Sequence, residues 1–149
     1  MQLIVFCGMQ ATGKSTFYQQ HFFHSHVRIS LDLLRTRNRE RRLLALCLET
    51  QMRCVVDNTN PTRAERAQYI GPARQAGFAV TGYYFHSTAA EAFARNVQRP
   101  AERQVPEVGI RATRNRLEIP RFAEGFDALY SVRPTANHTF DISPWQDEI

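Results

Sequence analysis

Residues 8–15 read Gly8-Met9-Gln10-Ala11-Thr12-Gly13-Lys14-Ser15 and satisfy the pattern G-x-x-x-x-G-K-[ST] at every fixed position. Each residue type has a task in such a loop. Gly8 lets the chain turn out of a strand without a Cβ clash, and Gly13 lets the backbone approach phosphate oxygens. The loop amides and the helix start that follows direct partial positive charge at an anion. Lys14 is placed to reach the β- and γ-phosphates of a nucleoside triphosphate such as ATP, and the Ser15 hydroxyl to ligate Mg²⁺. Gln10, Ala11, Thr12 and Thr16 complete the expected triphosphate-binding set. Lysine and arginine total 19, and Lys14 is the one lysine. With 7 glycines and 17 serines plus threonines in 149 residues, a lone lysine acquires these neighbours by chance about once in four thousand sequences of this composition.

Two carboxylates could complete the chemistry. Asp32 follows directly on a short apolar segment, at the edge where ligands bind in open α/β sheets. A base there can accept the proton of an attacking hydroxyl; alternatively, Asp32 is an acid at a helix N-terminus that complements the dipole. Asp57 ends the apolar run 54–57 (CVVD), the position of an acid that orients a metal and its water. The segment Asp57-Asn58-Thr59-Asn60-Pro61 also reads as a turn, with Asn60 as helix cap and Pro61 as first helical residue.

These residues need elements to hold them. Residues 3–7 (LIVFC) form an apolar run, the pattern of a strand buried on both faces. A helix is expected over 14–20, a strand over 27–30, and one helix over 31–48. The run 54–57 is a third strand. A helix follows Asn60-Pro61 and should kink or break at Gly71-Pro72. Residues 78–85 are a fourth strand and 89–98 a helix. Residues 99–105 carry no hydrophobic stripe and read as an exposed loop. Pro106 starts a helix that stops before Pro120. Short strands at 128–132 and 139–142 flank a turn at Arg133-Pro134, and residues 143–149 read as a frayed end. The alternation defines an α/β fold with a mostly parallel central sheet and helices on both sides. No linker or repeat divides the chain, so one domain over 1–149 is expected.

The net charge is +5, from 19 basic and 14 acidic residues, which is compatible with an anionic partner but does not identify one. No apolar run approaches the roughly 20 residues of a membrane span, and the first apolar segment is too short for a secretory leader. A cytoplasmic protein without membrane attachment is expected. The three cysteines are not in C-x-x-C spacing and read as buried thiols. His21, His24 and His26 lack zinc spacing and read as surface histidines. Tyr83, Tyr84 and Phe85 read as core, and Trp145 as a local anchor.

Taken together, the motifs resemble the P-loop 5′-hydroxyl polynucleotide kinases. The resemblance rests on Gly8–Ser15, Asp32-x-x-Arg35, Asp57-Asn58-Thr59-Asn60-Pro61 and Arg95-Asn96-x-x-Arg99, with a weaker match at Phe122-Ala123-Glu124-Gly125-Phe126. It implies a three-layer P-loop kinase fold with an arginine-bearing lid. It implies ATP and Mg²⁺ as cofactors and nucleic acid 5′-hydroxyl ends as the acceptor partner. Lys14 and Ser15 would serve the triphosphate and metal, Asp32 would be the general base, and Arg35 would grip the acceptor phosphate. Asp57, with Asn58 beside it, would support the metal or acceptor. Arg99 would be the lid arginine over the transferring phosphoryl group, with Arg95 beside the nucleotide. Arg103 and the run Arg37–Arg42 read as a solvated basic face. The adenine is expected near residues 133–137. The sequence departs from the family at Gln10-Ala11, where Pro-Gly is usual, and Ala11 adopts a positive φ only at a cost. A small-molecule kinase using the same donor apparatus, or a nucleotide-binding regulatory module, remains an alternative.

Overall fold

The computed structural model describes residues 1–146. Six strands form one sheet in the order β2-β3-β1-β4-β5-β6. They are β1 (Gln2–Cys7), β2 (Val27–Ile29), β3 (Cys54–Val56), β4 (Ala79–Phe85), β5 (Ala128–Pro134) and β6 (Phe140–Pro144). The first five are mutually parallel, and β6 runs antiparallel to β5 at the sheet edge. The helices are α1 (Lys14–His21), α2 (Leu31–Leu34), α3 (Arg37–Glu49), α4 (Arg63–Gln75), α5 (Ala89–Asn96) and α6 (Glu107–Arg116). None among the described residues is long and apolar enough to cross a membrane.

Strand alternation sorts the core onto two faces. Leu3, Val5, Cys54, Val56, Val80 and Leu129 meet Leu44, Cys47 and Leu48 of α3 and Tyr69, Ile70 and Ala73 of α4. Ile4, Phe6, Val55, Phe85 and Val132 meet Phe17 and Tyr18 of α1. Such two-sided burial is why β1 and β3 read as unbroken apolar runs. A smaller cluster of Met9, Ala92 and Ile110 ties α5 and α6 to the loop after β1. All three cysteines are buried free thiols. Tyr83 and Phe85 pack in the core, and Trp145 packs edge-on against Tyr84.

Several local expectations are corrected. The helix expected over 31–48 is two helices, because Arg35 takes φ 75° and Thr36 caps α3 by accepting from the Arg39 amide at 3.1 Å. The cap of α4 is Thr62, not Asn60. Thr62 and Glu65 form a reciprocal capping box, and Asn60 is buried at φ 43° with its amide donating to the Phe6 carbonyl. Pro72 lies inside α4 without ending it. The carbonyl that proline cannot bond belongs to Gln68 on the exposed face, open to solvent, while Tyr69, Ile70 and Ala73 hold the buried face. Helix α5 ends at Asn96 and α6 at Arg116. The last turn is at 135–139, because Arg133 and Pro134 still pair within the β5–β6 ladder. Of the segment expected to fray, Ser143 and Pro144 belong to β6, and residues 147–149 lie outside the described residues.

The Phe122–Gly125 turn has a structural task. Arg66, fully buried, makes a two-pronged pair with Glu124 at 2.8 and 3.2 Å and donates to the Asn60 carbonyl at 2.9 Å. One guanidinium thereby fixes both this turn and the loop after β3.

Candidate active site

The parallel strands deliver their C-terminal ends to one edge of the sheet, where the order reverses about β1. A cavity of about 650 Å³ lies there. Residues 10–16, Asp32, Asp57, Asn58, Arg95, Arg99, Arg103 and His138 line it.

The loop after β1 is shaped as its glycines require. Gly13 has φ 85°, and a Cβ there would meet the Phe140 ring at 2.8 Å. Gly8 packs so closely on Phe85 that a Cβ would sit 3.0 Å from its backbone carbonyl. Ala11 adopts φ 59°, so this loop carries a left-handed alanine that costs roughly 1–2 kcal/mol relative to a right-handed one. Gln10 anchors the loop to α6 by donating to Thr113 at 2.9 Å. Thr12 is buried and donates to the Met9 carbonyl.

Lys14 is also buried, and its ammonium donates to the carbonyls of Gly8 and Met9 and to the Thr12 hydroxyl. Burial lowers its pKa to about 8, against the opposing pull of Asp57. This gives a prediction with a definite sign. A bound triphosphate favours the charged ammonium. Above pH 8 the free protein has lost that proton and must regain it to bind. ATP affinity should therefore hold below pH 8 and fall above it, by about tenfold for each further pH unit. Titrating a fluorescent ATP analogue between pH 7 and 9.5 measures this; a flat profile refutes it.

Beside the lysine, Ser15 Oγ donates to Asp57 Oδ2 at 3.1 Å. Oxygens adjacent in an octahedral shell with bonds of 2.0–2.1 Å lie roughly 3 Å apart. The pair therefore fits two ligand positions of Mg²⁺, with phosphate oxygens and water supplying the rest. No cluster of three His, Cys, Asp or Glu side chains suited to a metal exists among the described residues, so the ligand's own oxygens would be needed. The pair carries a guanidinium as well: Arg28 of β2 donates to Asp57 Oδ2 at 2.8 Å and to Ser15 Oγ at 3.1 Å. Sequence reasoning missed Arg28. The available signal was a charged residue within a strand, four positions before Asp32.

Asp32 is exposed to the cavity in the first turn of α2. Its helix is held by a chain of hydrogen bonds. The Leu31 amide donates to Asn58 Oδ1 at 2.9 Å, and Asn58 Nδ2 donates to Glu40 Oε2 at 2.7 Å. Glu40 is 1% exposed and also accepts from Tyr69 at 2.7 Å and Arg37 at 3.1 Å. The buried carboxylate faces the amide NH₂ of Asn58 and turns its oxygen toward Leu31. Asn58, expected at the substrate, thus spends its side chain positioning the helix of Asp32. Arg37 is exposed as expected, and it also bonds Glu40 and the Tyr69 hydroxyl.

Arg95, also on the cavity lining, donates to Ser87 at 3.2 Å. The loop bearing Arg99 is closed at its base by Asn96, buried, which exchanges two hydrogen bonds with the backbone of Val105 at 2.6 and 2.9 Å. Arg99 is half-buried; burial and neighbouring Arg103 lower its pKa while Asp32 opposes. Arg103 lines the cavity too and is exposed, as the solvated reading expects. Arg35 is exposed at the end of α2. His138 brings the turn after β5 to the cavity, next to the region expected for adenine. His21 packs tilted against Phe17, and His26 bonds Ser25 and Gln2.

This loop and sheet order define an α/β fold of the P-loop kinase type. The chain belongs to the AAA domain family, whose model matches residues 35–120. It is 28% identical over 137 residues to a bifunctional polynucleotide phosphatase/kinase of Schizosaccharomyces pombe, covering 88% of this chain and 33% of that protein. The chain therefore spans about a third of that relative's length. Among solved structures, Chaetomium thermophilum Kti12 in complex with ADP-AlF3 superposes with a TM-score of 0.71 at 16% identity, over 91% of this chain and 92% of the other. A gluconokinase from Sinorhizobium meliloti 1021 gives 0.62 at 20% identity, over 89% and 82%.

Proposed function

We propose that the protein transfers the γ-phosphoryl group of ATP to a 5′-hydroxyl end of RNA or DNA. The observation that carries this reading is the placement of Asp32 on the wall of the cavity that also holds the P-loop and Arg99. The 28% identity to a polynucleotide phosphatase/kinase supports the choice of acceptor.

Lys14 and the loop amides hold the triphosphate. Ser15 and Asp57 would hold Mg²⁺, which would neutralise phosphate charge. Asp32 accepts the proton of the attacking hydroxyl as its oxygen bonds the γ-phosphorus and the bond from that phosphorus to the bridging oxygen of ADP breaks, so ADP leaves. Arg99 meets the charge on the phosphoryl oxygens in flight. Arg95, on the cavity lining, would flank the nucleotide, and Arg35, exposed at the end of the helix that carries Asp32, would meet a phosphate next to the 5′ end. Because binding a polynucleotide phosphate releases counterions, acceptor affinity should fall as salt rises.

The direct test is label transfer from γ-labelled ATP to 5′-hydroxyl oligonucleotides. Labelled 5′ ends are expected, and none on oligonucleotides already carrying a 5′-phosphate. Labelling of a sugar or nucleoside in place of an oligonucleotide assigns the protein to small-molecule kinases. ATP binding with no acceptor-dependent transfer to any of these overturns the kinase reading.

A further inference from the structure

Arg28 occupies the two oxygens to which a divalent ion would bind. Its Nε is 2.8 Å from Asp57 Oδ2 and its Nη2 is 3.1 Å from Ser15 Oγ. The Asp57 side chain is 3% exposed and that of Arg28 27%, so the carboxylate is fixed while the guanidinium retains a route to solvent. The Tyr18 ring lies 6.0 Å from the guanidinium carbon, and β2–β3 pairing sets Arg28 opposite Val55, two residues before Asp57. A guanidinium fork matches a carboxylate and a hydroxyl side by side in a way a single ammonium does not.

From this we infer that Arg28 is a specificity-determining residue of the site: a resident cation that shields the Ser15–Asp57 pair from free divalent ions. The inference rests on the reading of this cavity as a nucleotide and metal site. With Arg28 in place the pair of Asp57 and Arg28 carries no net charge, so a divalent ion alone gains little there and is repelled by the guanidinium. A nucleotide changes the balance. Its phosphates bring negative charge and additional metal ligands, and Arg28 can turn toward them or toward solvent. The metal then enters with the nucleotide rather than before it. Arginine also keeps Asp57 and Ser15 at metal-ready spacing meanwhile.

The test is Mn²⁺ binding, read by electron paramagnetic resonance of the free ion, to the whole protein with and without ADP. Wild-type protein should bind Mn²⁺ weakly alone and at least roughly tenfold more tightly with ADP. Arg28→Gln should tighten nucleotide-independent binding at least roughly tenfold, and adding Asp57→Asn to it should abolish the gain. Unchanged or weaker Mn²⁺ binding by Arg28→Gln overturns the proposal, because Arg28 would then only support Asp57. If that variant does not fold, wild-type protein still decides: equal Mn²⁺ affinity with and without ADP overturns it. Absence of Mn²⁺ binding in both states overturns the metal reading of the cavity itself.

Discussion

Replacing Arg99 by alanine is expected to lower the rate of phosphoryl transfer about 10³-fold or more, while the fold and most of the ATP affinity remain. The reason is where charge appears. In the proposed ground state Lys14 and the loop amides would already serve the β- and γ-phosphates. As the γ-phosphoryl group moves, negative charge would spread over its equatorial oxygens, and a cation lining the cavity would gain interaction energy at that moment. Arg99 lines the cavity together with Lys14 and Asp32. Asn96 and Gln104 fix the loop backbone by bonds to Val105 and to the Arg99 carbonyl, so truncating the Arg99 side chain leaves the loop frame in place. Arg103 provides the comparison. It lines the same cavity but is exposed, and Arg103→Ala should cost much less. Single-turnover transfer, ATP titration and melting temperature on both variants measure this. If the two alanine variants lose rate equally, or if Arg99→Ala loses ATP affinity in proportion to rate, the lid role is wrong.

The parts of this site differed in how readily the sequence disclosed them. The loop 8–15 was legible because its chemistry is done largely by backbone, and a backbone shape of that kind admits few residue types at Gly8, Gly13 and Lys14. The parallel sheet was legible because two-sided burial leaves apolar runs such as LIVFC and CVV. The break between α2 and α3 was not, because nothing in a single helical pattern reports that Arg35 turns left-handed. Glu40 was hidden in the arginine-rich run 37–42, yet a signal existed. Glu40, Leu44, Cys47 and Leu48 recur at helical spacing, and these four are the buried face of α3. An acid on an apolar stripe calls for partners, and here they are Tyr69, Arg37 and Asn58. Arg28 carried a weaker signal, since a three-residue strand has too little pattern to show which side chains turn inward. The pairing of Arg28 with Asp57 depends on contact between residues far apart in sequence, and no spacing rule exposes it.

Asp32→Asn is the second large effect. It should reduce phosphoryl transfer about 10²- to 10⁴-fold, the range of a general base, and leave ATP affinity nearly unchanged. Asparagine keeps the size of the side chain and its ability to accept a hydrogen bond, but it cannot take up the hydroxyl proton. The helix should stay in place, because α2 is held through its Leu31 amide by Asn58 and Glu40 and not through the Asp32 carboxylate. The competing reading makes Asp32 an acid that merely favours the N-terminus of a helix. Its loss would then cost about 0.3–1 kcal/mol of stability and spare the rate. The two readings therefore separate on two measurements of one variant, melting temperature and single-turnover rate. A further control sharpens the assignment. Glu40→Ala should loosen α2 and raise hydrogen exchange at the Leu31 amide, whereas Asp32→Asn should leave that exchange unaltered. A lost rate with unaltered Leu31 exchange and unaltered ATP affinity identifies the carboxylate itself as the group that does the chemistry; a lost rate accompanied by faster exchange would place Asp32 among the residues that hold the helix.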